Sequence, residues 1–217
     1  MENEHSSYAR AILVKAIIAA IAVILIGIYI IPSLIYVNVC GGTVPNKALN
    51  NARNIGMALK TFADDHNGEF PKGNTAAEVF SQLLPQETGG SGYIADKMQF
   101  YVKNSKYTPK VISDSPGNLR KLSSGENHWA FMSGLSSKGN ARWPLLFDGP
   151  ASIAGRYSAD QKEKGGVWKG KIAIVVRLDG SANTEPLQDL YIATDGQENI
   201  LEPSNAWAIR GKLLMPY

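Results

Sequence analysis

The 217-residue chain carries 22 basic and 19 acidic side chains, for a net charge of +3. That balance, with no block of one sign, excludes the clustered basic face that nucleic-acid binding requires, so no nucleic-acid partner is expected. A single cysteine, Cys40, excludes an intramolecular disulfide and a cysteine-built zinc site.

Residues 1–15 form a polar N-terminal segment, followed at 16–39 by twenty-four residues without a charged side chain. As a helix this run reaches about 36 Å, enough to cross a hydrocarbon core of about 30 Å. Its length exceeds the apolar core of a cleaved signal, and Val39 before Cys40 is not the small residue that a lipoprotein signal places there. The segment predicts an uncleaved single-pass transmembrane helix. Lys15 stands at its edge, where the stem can lie along lipid, and Pro32 removes one backbone donor and kinks it. Positive charge does not decide orientation, since Arg10 and Lys15 on one side are matched by Lys47 and Arg53 on the other.

Cys40, Gly41, Gly42 and Pro45 make a hinge at 40–45. From 46 to 65 the spacing of Ala48, Ala52, Ile55, Leu59 and Phe62 draws one apolar stripe, which predicts an amphipathic helix packed on a sheet. Asp64, Asp65, His66, Asn67 and Gly68 stop it, with Asn67-Gly68 the turn signal. Thr75 and Glu78 form a capping box that opens a short helix closed by Pro85. Residues 99–103 suggest a short strand, and 129–132 and 144–147 two more. The polar, Lys- and Gly-rich stretch 156–168 reads as an exposed, mobile loop. Residues 171–178 form a β-branched run, and Asp179-Gly180 turns it back into 181–187, the clearest hairpin in the chain. Residues 189–217 have no clear placement.

Chemistry-bearing motifs are sparse. There is no nucleophile elbow, P-loop, dinucleotide fingerprint or zincin motif. His128 has no second histidine or cysteine beside it and reads as a structural histidine. Asp189, Asp195 and Glu198 offer oxygen ligands for calcium but lack regular spacing. No cofactor and no enzymatic activity are expected, calcium being the one ion weighed.

Three places carry a family resemblance. Pro32 in the apolar run, the segment from Asn51 to Pro71 and the Asp179-Gly180-Ser181 turn together resemble type IV pilins and the pseudopilins of type II secretion. The match is to the planctomycete and verrucomicrobial kind with a C-terminal Asp-Gly hairpin. Within 51–71 the matching positions are Asn54, Gly56, Leu59, Gly68, Phe70 and Pro71. Setting Pro32 on the family's helix proline puts Arg10 where the processing glycine stands and Lys15 where an acidic residue stands, a degenerate processing motif. The resemblance implies an α+β, pilin-like fold: a long N-terminal transmembrane helix, then a soluble domain at 46–217 with an amphipathic helix on a small antiparallel sheet. It implies a membrane-anchored, non-enzymatic structural subunit of a secretion or pilus-type assembly in the bacterial inner membrane, its domain periplasmic or extracellular. The implied partners are membrane lipid, other pilin-like or secretion-system subunits and further copies of the chain. A single-pass anchored binding, scaffold or adhesin domain is the alternative.

Overall fold

The structure, a computed structural model, describes residues 15, 43–85, 92–109, 121–193, 199–202 and 211–216. The chain divides between Pro45 and Asn46 into two compact units. In the first, Lys15 is exposed, whereas Arg10, Pro32 and the 16–39 run lie outside the described residues. Among the described residues no helix is long and apolar enough to cross a membrane. The one long helix there carries Lys47, Asn50, Arg53 and Asn54 opposite its apolar stripe, so it is built to lie on a protein surface. The expected transmembrane helix at 16–39 lies outside the described residues; the single-pass inner-membrane localisation, and the envelope, secretion and transport roles expected with it, are corrected to the statement that no described helix spans a membrane.

The expected fold class is corrected as well. The described chain is sheet-rich, not an α+β fold with a long N-terminal helix: a six-stranded antiparallel half-barrel with a single helix of seven or more residues. That helix, α1, is Thr43–Asp65. Helix α2 is Ala76–Ser81, and a 3-10 turn covers Lys97–Phe100. The strands are β1 Trp129–Ser133, β2 Pro144–Asp148, β3 Ile172–Arg177, β4 Ala182–Gln188, β5 Tyr191–Ile192 and β6 Lys212–Leu214. Their order is β5-β4-β3-β2-β1-β6, every neighbour antiparallel. Residues 99–103 are not a strand: Phe100 ends the 3-10 turn, which Asp96 caps by accepting from the Met98 N–H at 2.7 Å.

α1 begins two residues before Pro45, which sits in the first turn, where its missing N–H leaves no helical bond unmade. It ends in a Schellman turn: the Gly68 N–H donates to the Ala63 carbonyl at 2.7 Å, with Asn67 at φ 57° and Gly68 at φ 92°. His66 stacks on Phe62, ring centroids 3.9 Å apart, and its Nδ1 meets the Phe62 carbonyl at 2.7 Å. At α2 the Thr75 hydroxyl accepts from the Glu78 N–H. The Glu78 carboxylate reaches back one residue further than the capping box requires, to the Asn74 N–H at 2.8 Å.

Register decides which residues α1 meets. Val176 lies opposite Leu146, Leu146 opposite Phe131 and Phe131 opposite Leu214, so the four share one sheet face. α1 lies on that face, with Ala48, Ala52, Ile55, Leu59 and Ala63 in the core. Phe131 meets Phe70 and Phe80 edge-on there. The helix approaches the sheet tightly at Gly56, where an added Cβ would stand 2.6 Å from Val176 Cγ1. β2 and β3 are buried on their opposite face too, since Leu145, Phe147, Ala173 and Val175 are as inaccessible as Leu146 and Val176. That is why both runs read as almost continuously apolar.

This contact yields a test. On an open helix surface Gly→Ala stabilises by about 1 kcal/mol. At Gly56 the methyl has no room, so Gly56→Ala is expected to destabilise the protein by about 1–3 kcal/mol in urea unfolding. Val176→Ala in the same chain should recover part of that loss; a stabilised single variant would mean that α1 does not close on β3 here.

Candidate functional site

Three polar side chains that lie far apart in sequence meet beneath the sheet's end. Ser105 belongs to the turn after the 3-10 helix, His128 immediately precedes β1, and Asp148 is the last residue of β2. The Ser105 hydroxyl lies 2.7 Å from His128 Nδ1, and His128 Nε2 lies 2.6 Å from Asp148 Oδ1. All partners are satisfied when Ser105 donates to Nδ1 and the Nε2–H donates to Asp148. The other carboxylate oxygen, Oδ2, accepts from Trp168 Nε1 at 2.8 Å and from the backbone N–H of Ile174. Asp148 lies opposite Ile174 in the β2–β3 register, so its side chain supplies a rung of the ladder there.

Local sequence explains each placement. His128 is fixed by its own backbone, whose N–H donates to the Phe100 carbonyl at 2.9 Å and whose carbonyl accepts from Gly149 at 3.1 Å. Ser105 Oγ also accepts from the Tyr107 N–H at 3.1 Å, a side-chain turn that curls the loop under the histidine. The loop between β2 and β3 is held from inside. Tyr107 donates its hydroxyl to the Pro150 carbonyl, and Tyr157 donates to the Asp148 carbonyl at 2.9 Å. The loop expected to be exposed and mobile at 156–168 is exposed at Arg156, Ala159, Asp160 and 162–164, but it is anchored, because Tyr157 and Val167 are core residues and Trp168 is tied to Asp148. Burial first, then the nearby Asp148 and Tyr107, pushes the Tyr157 phenol well above its ordinary range.

The cluster meets two of the three demands of acyl-transfer chemistry. A nucleophile contacts a base and the base contacts an orienting carboxylate. The third demand is an open position at the nucleophile for the reacting carbonyl. Ser105 is only 5% exposed, and His128 and Asp148 are 1% exposed. The loop between β2 and β3 supplies Trp168, one of the donors to Asp148, so moving that loop would remove a support of the relay. Two clefts of the described surface lie elsewhere. One, of about 580 Å³, is lined by Asn67, 69–73, 133–136 and Lys138; the other, of about 470 Å³, runs beside α1 at Asn54, Met57 and Thr61.

The motif residues singled out from the sequence lie apart from this cluster, and the described ones converge on α1 and the β3–β4 hairpin. Gly56 and Leu59 are buried in the interface, and Asn54 is exposed on the helix flank. Gly68, Phe70 and Pro71 are buried where the chain leaves α1. At the hairpin the Gly180 N–H donates to the Arg177 carbonyl, and Asp179 Oδ1 accepts from the Ser181 N–H at 2.8 Å. The Ser181 hydrogen bonds hold the Asp179 carboxyl below its ordinary value. Lys60 on α1 reaches the Asp179 carbonyl at 3.4 Å. Among the described residues no group of three or more His, Cys, Asp or Glu side chains could hold a metal ion. Asp189 is a turn residue at φ 48°, and Asp195 and Glu198 lie outside the described residues.

The sequence reading picked out His128 and missed Ser105 and Asp148. The usable signal was Asp148 itself, an acid closing the apolar run Pro144–Asp148, where a strand buried on both faces tolerates a carboxylate only if donors await it.

Two measurements check the cluster. Asp148→Asn sets an amide N–H₂ against N–H donors and is expected to cost about 2–4 kcal/mol in urea unfolding, whereas Ser105→Ala costs about 1 kcal/mol. For Tyr157 the folded pKa lies above the unfolded one, so its contribution is complete below pH 10.0, the ordinary tyrosine value, and is lost as pH rises beyond it. Stability should fall there by up to about 1.4 kcal/mol per pH unit, and Tyr157→Phe should flatten that limb.

Comparison of the chain with protein-family models, with curated proteins and with solved structures gives no match in any of the three.

Proposed function

We propose that the unit from Asn46 onward is a non-enzymatic structural subunit of the pilin-like kind, which works by assembling with other subunits or with further copies of itself. The observation that carries the reading is the meeting of the two described segments that hold the sequence resemblance. They lie some 120 residues apart in the chain, yet Lys60 of one contacts Asp179 of the other, at a separation of 119 residues. Gly56 of the first closes on Val176, the strand residue just ahead of that turn. Motif positions that serve packing of a helix on a hairpin are those of a scaffold whose surface does the work.

The burial of Ser105, His128 and Asp148 supports the non-enzymatic half of the proposal, because a nucleophile that no substrate reaches does no chemistry. For the assembly half, the outer flank of α1 offers Met57, 50% exposed, beside Thr61 and Tyr93. Elsewhere the described surface exposes one other large aliphatic side chain, Ile153.

A photo-crosslinking amino acid in place of Met57, in the full chain expressed in its own cells, tests the assembly reading. Adducts to sister copies or to other subunits are expected, and a chain recovered only as uncrosslinked monomer would overturn it. In parallel, a fluorophosphonate probe should leave the native protein unlabelled; an adduct on Ser105, lost in Ser105→Ala, would overturn the non-enzymatic reading.

A further inference from the structure

The chain contains one Asn-Gly pair, Asn67-Gly68. In an open chain this is the dipeptide most prone to intramolecular deamidation, because glycine leaves the next backbone nitrogen sterically free to attack the asparagine side chain. The Gly68 nitrogen adds to Asn67 Cγ and loses its proton, ammonia departs, and a five-membered succinimide remains. Water then opens the ring at one carbonyl to give aspartate, or at the other to give isoaspartate. Nothing but water is needed.

Asn67 is exposed and lies on the rim of the cleft of about 580 Å³, so solvent reaches it. Its neighbour is not available. The Gly68 N–H is committed to the Ala63 carbonyl at 2.7 Å as the closing bond of the helix cap. Asn67 is held left-handed at φ 57° and Gly68 at φ 92°. The Gly68 carbonyl is clamped on its other side, by the Ser137 N–H at 2.9 Å and the Ser136 hydroxyl at 3.1 Å. An added Cβ at Gly68 would lie 3.1 Å from the Ser137 hydroxyl, so the peptide has little room to swing toward its neighbour's side chain.

We propose that Asn67 is a covalent modification site held off by the cap of α1, and that it deamidates only when the Ala63–Gly68 bond opens. Once made, the product resists reclosure. It adds a negative charge beside Asp64 and Asp65, at the helix end where the macrodipole already disfavours one. As isoaspartate it also inserts an extra backbone carbon between the left-handed residue and Gly68, so the cap bond and the clamp to Ser136 and Ser137 cannot both re-form. The bridge between Glu69 and Ser136, which ties this turn to the chain after β1, lies directly downstream. The modification thus converts a transient fraying of α1 into a lasting one.

The test incubates the full chain at mildly alkaline pH, folded and in urea, and follows the tryptic peptide 61–72 by mass spectrometry and by chromatographic separation of isoaspartate. The folded protein is expected to react at least about tenfold more slowly, as chemistry gated by local opening requires. Ser136→Ala, which removes one arm of the clamp, should speed the folded reaction severalfold and leave the rate in urea unchanged. Equal rates folded and unfolded would overturn the protection, and a folded rate indifferent to Ser136→Ala would overturn the clamp as its source.

Discussion

The Asp148 carboxylate is the point on which the rest of the described fold depends. Burying a carboxylate is costly unless donors replace its water, and here the replacement comes from three separate parts of the chain. His128 brings the approach to β1, Trp168 brings the loop between β2 and β3, and the Ile174 N–H brings β3 itself. The backbone of the same residue accepts from Tyr157 as well. None of these groups can drift without leaving charge or a backbone donor unpaired, so one side chain fixes the spacing of three strands and the path of a long loop. Aromatic packing reinforces the geometry, with His128 edge-on to both Trp129 and Tyr107.

The helix side of the sheet is governed by size, not charge. Ala48, Ala52 and Gly56 are four residues apart and form one row on α1, with Ala63 further along the buried face. Small residues let the helix backbone settle close to β3, and the bulk needed to fill the space comes from the sheet, from Val176, Leu146 and Phe131. A second buried ionic contact fastens the segment beneath: Lys97, almost inaccessible, meets Glu126 at 2.9 Å. It joins the 3-10 turn to the stretch leading into β1, so Ser105 and His128 are brought together by elements already held in register.

Much of this was legible in the sequence where periodicity is local. The apolar stripe marked α1 to within three residues at its start, the β-branched run before Asp179-Gly180 marked β3, and Thr75 with Glu78 marked α2. Local pattern fails where a structure is built by distant partners. Ser105 stands 23 residues before His128 and Asp148 stands 20 residues after it, spacings that no helix or strand period relates. The polar loop before β3 looked mobile because its lysines and glycines dominate its composition, while Tyr157 and Trp168, the two residues that anchor it, are a small minority. Phe100 and Tyr101 suggested a strand by β-propensity, but Asp96 two residues ahead of Met98 supplies a cap, and the cap wins.

The edges of the sheet bear on how such a domain meets others. A free strand edge invites pairing by another chain, and proteins blunt it with short strands, proline and charge. All three occur here. β5 is two residues long and β6 three, and the outer reach of β4 carries Pro186 beside Glu185. Glu185 is moreover paired with Arg177 across the hairpin at 3.0 Å. Strand addition is therefore the contact this fold resists. The helix flank differs: its cleft is bounded by Met57 and Thr61, on backbone bonded within α1, and by Tyr93, whose N–H donates to the Leu83 carbonyl. A partner seated on it would bury side chains without having to satisfy a row of open peptide groups, the demand that pairing at either sheet edge would impose.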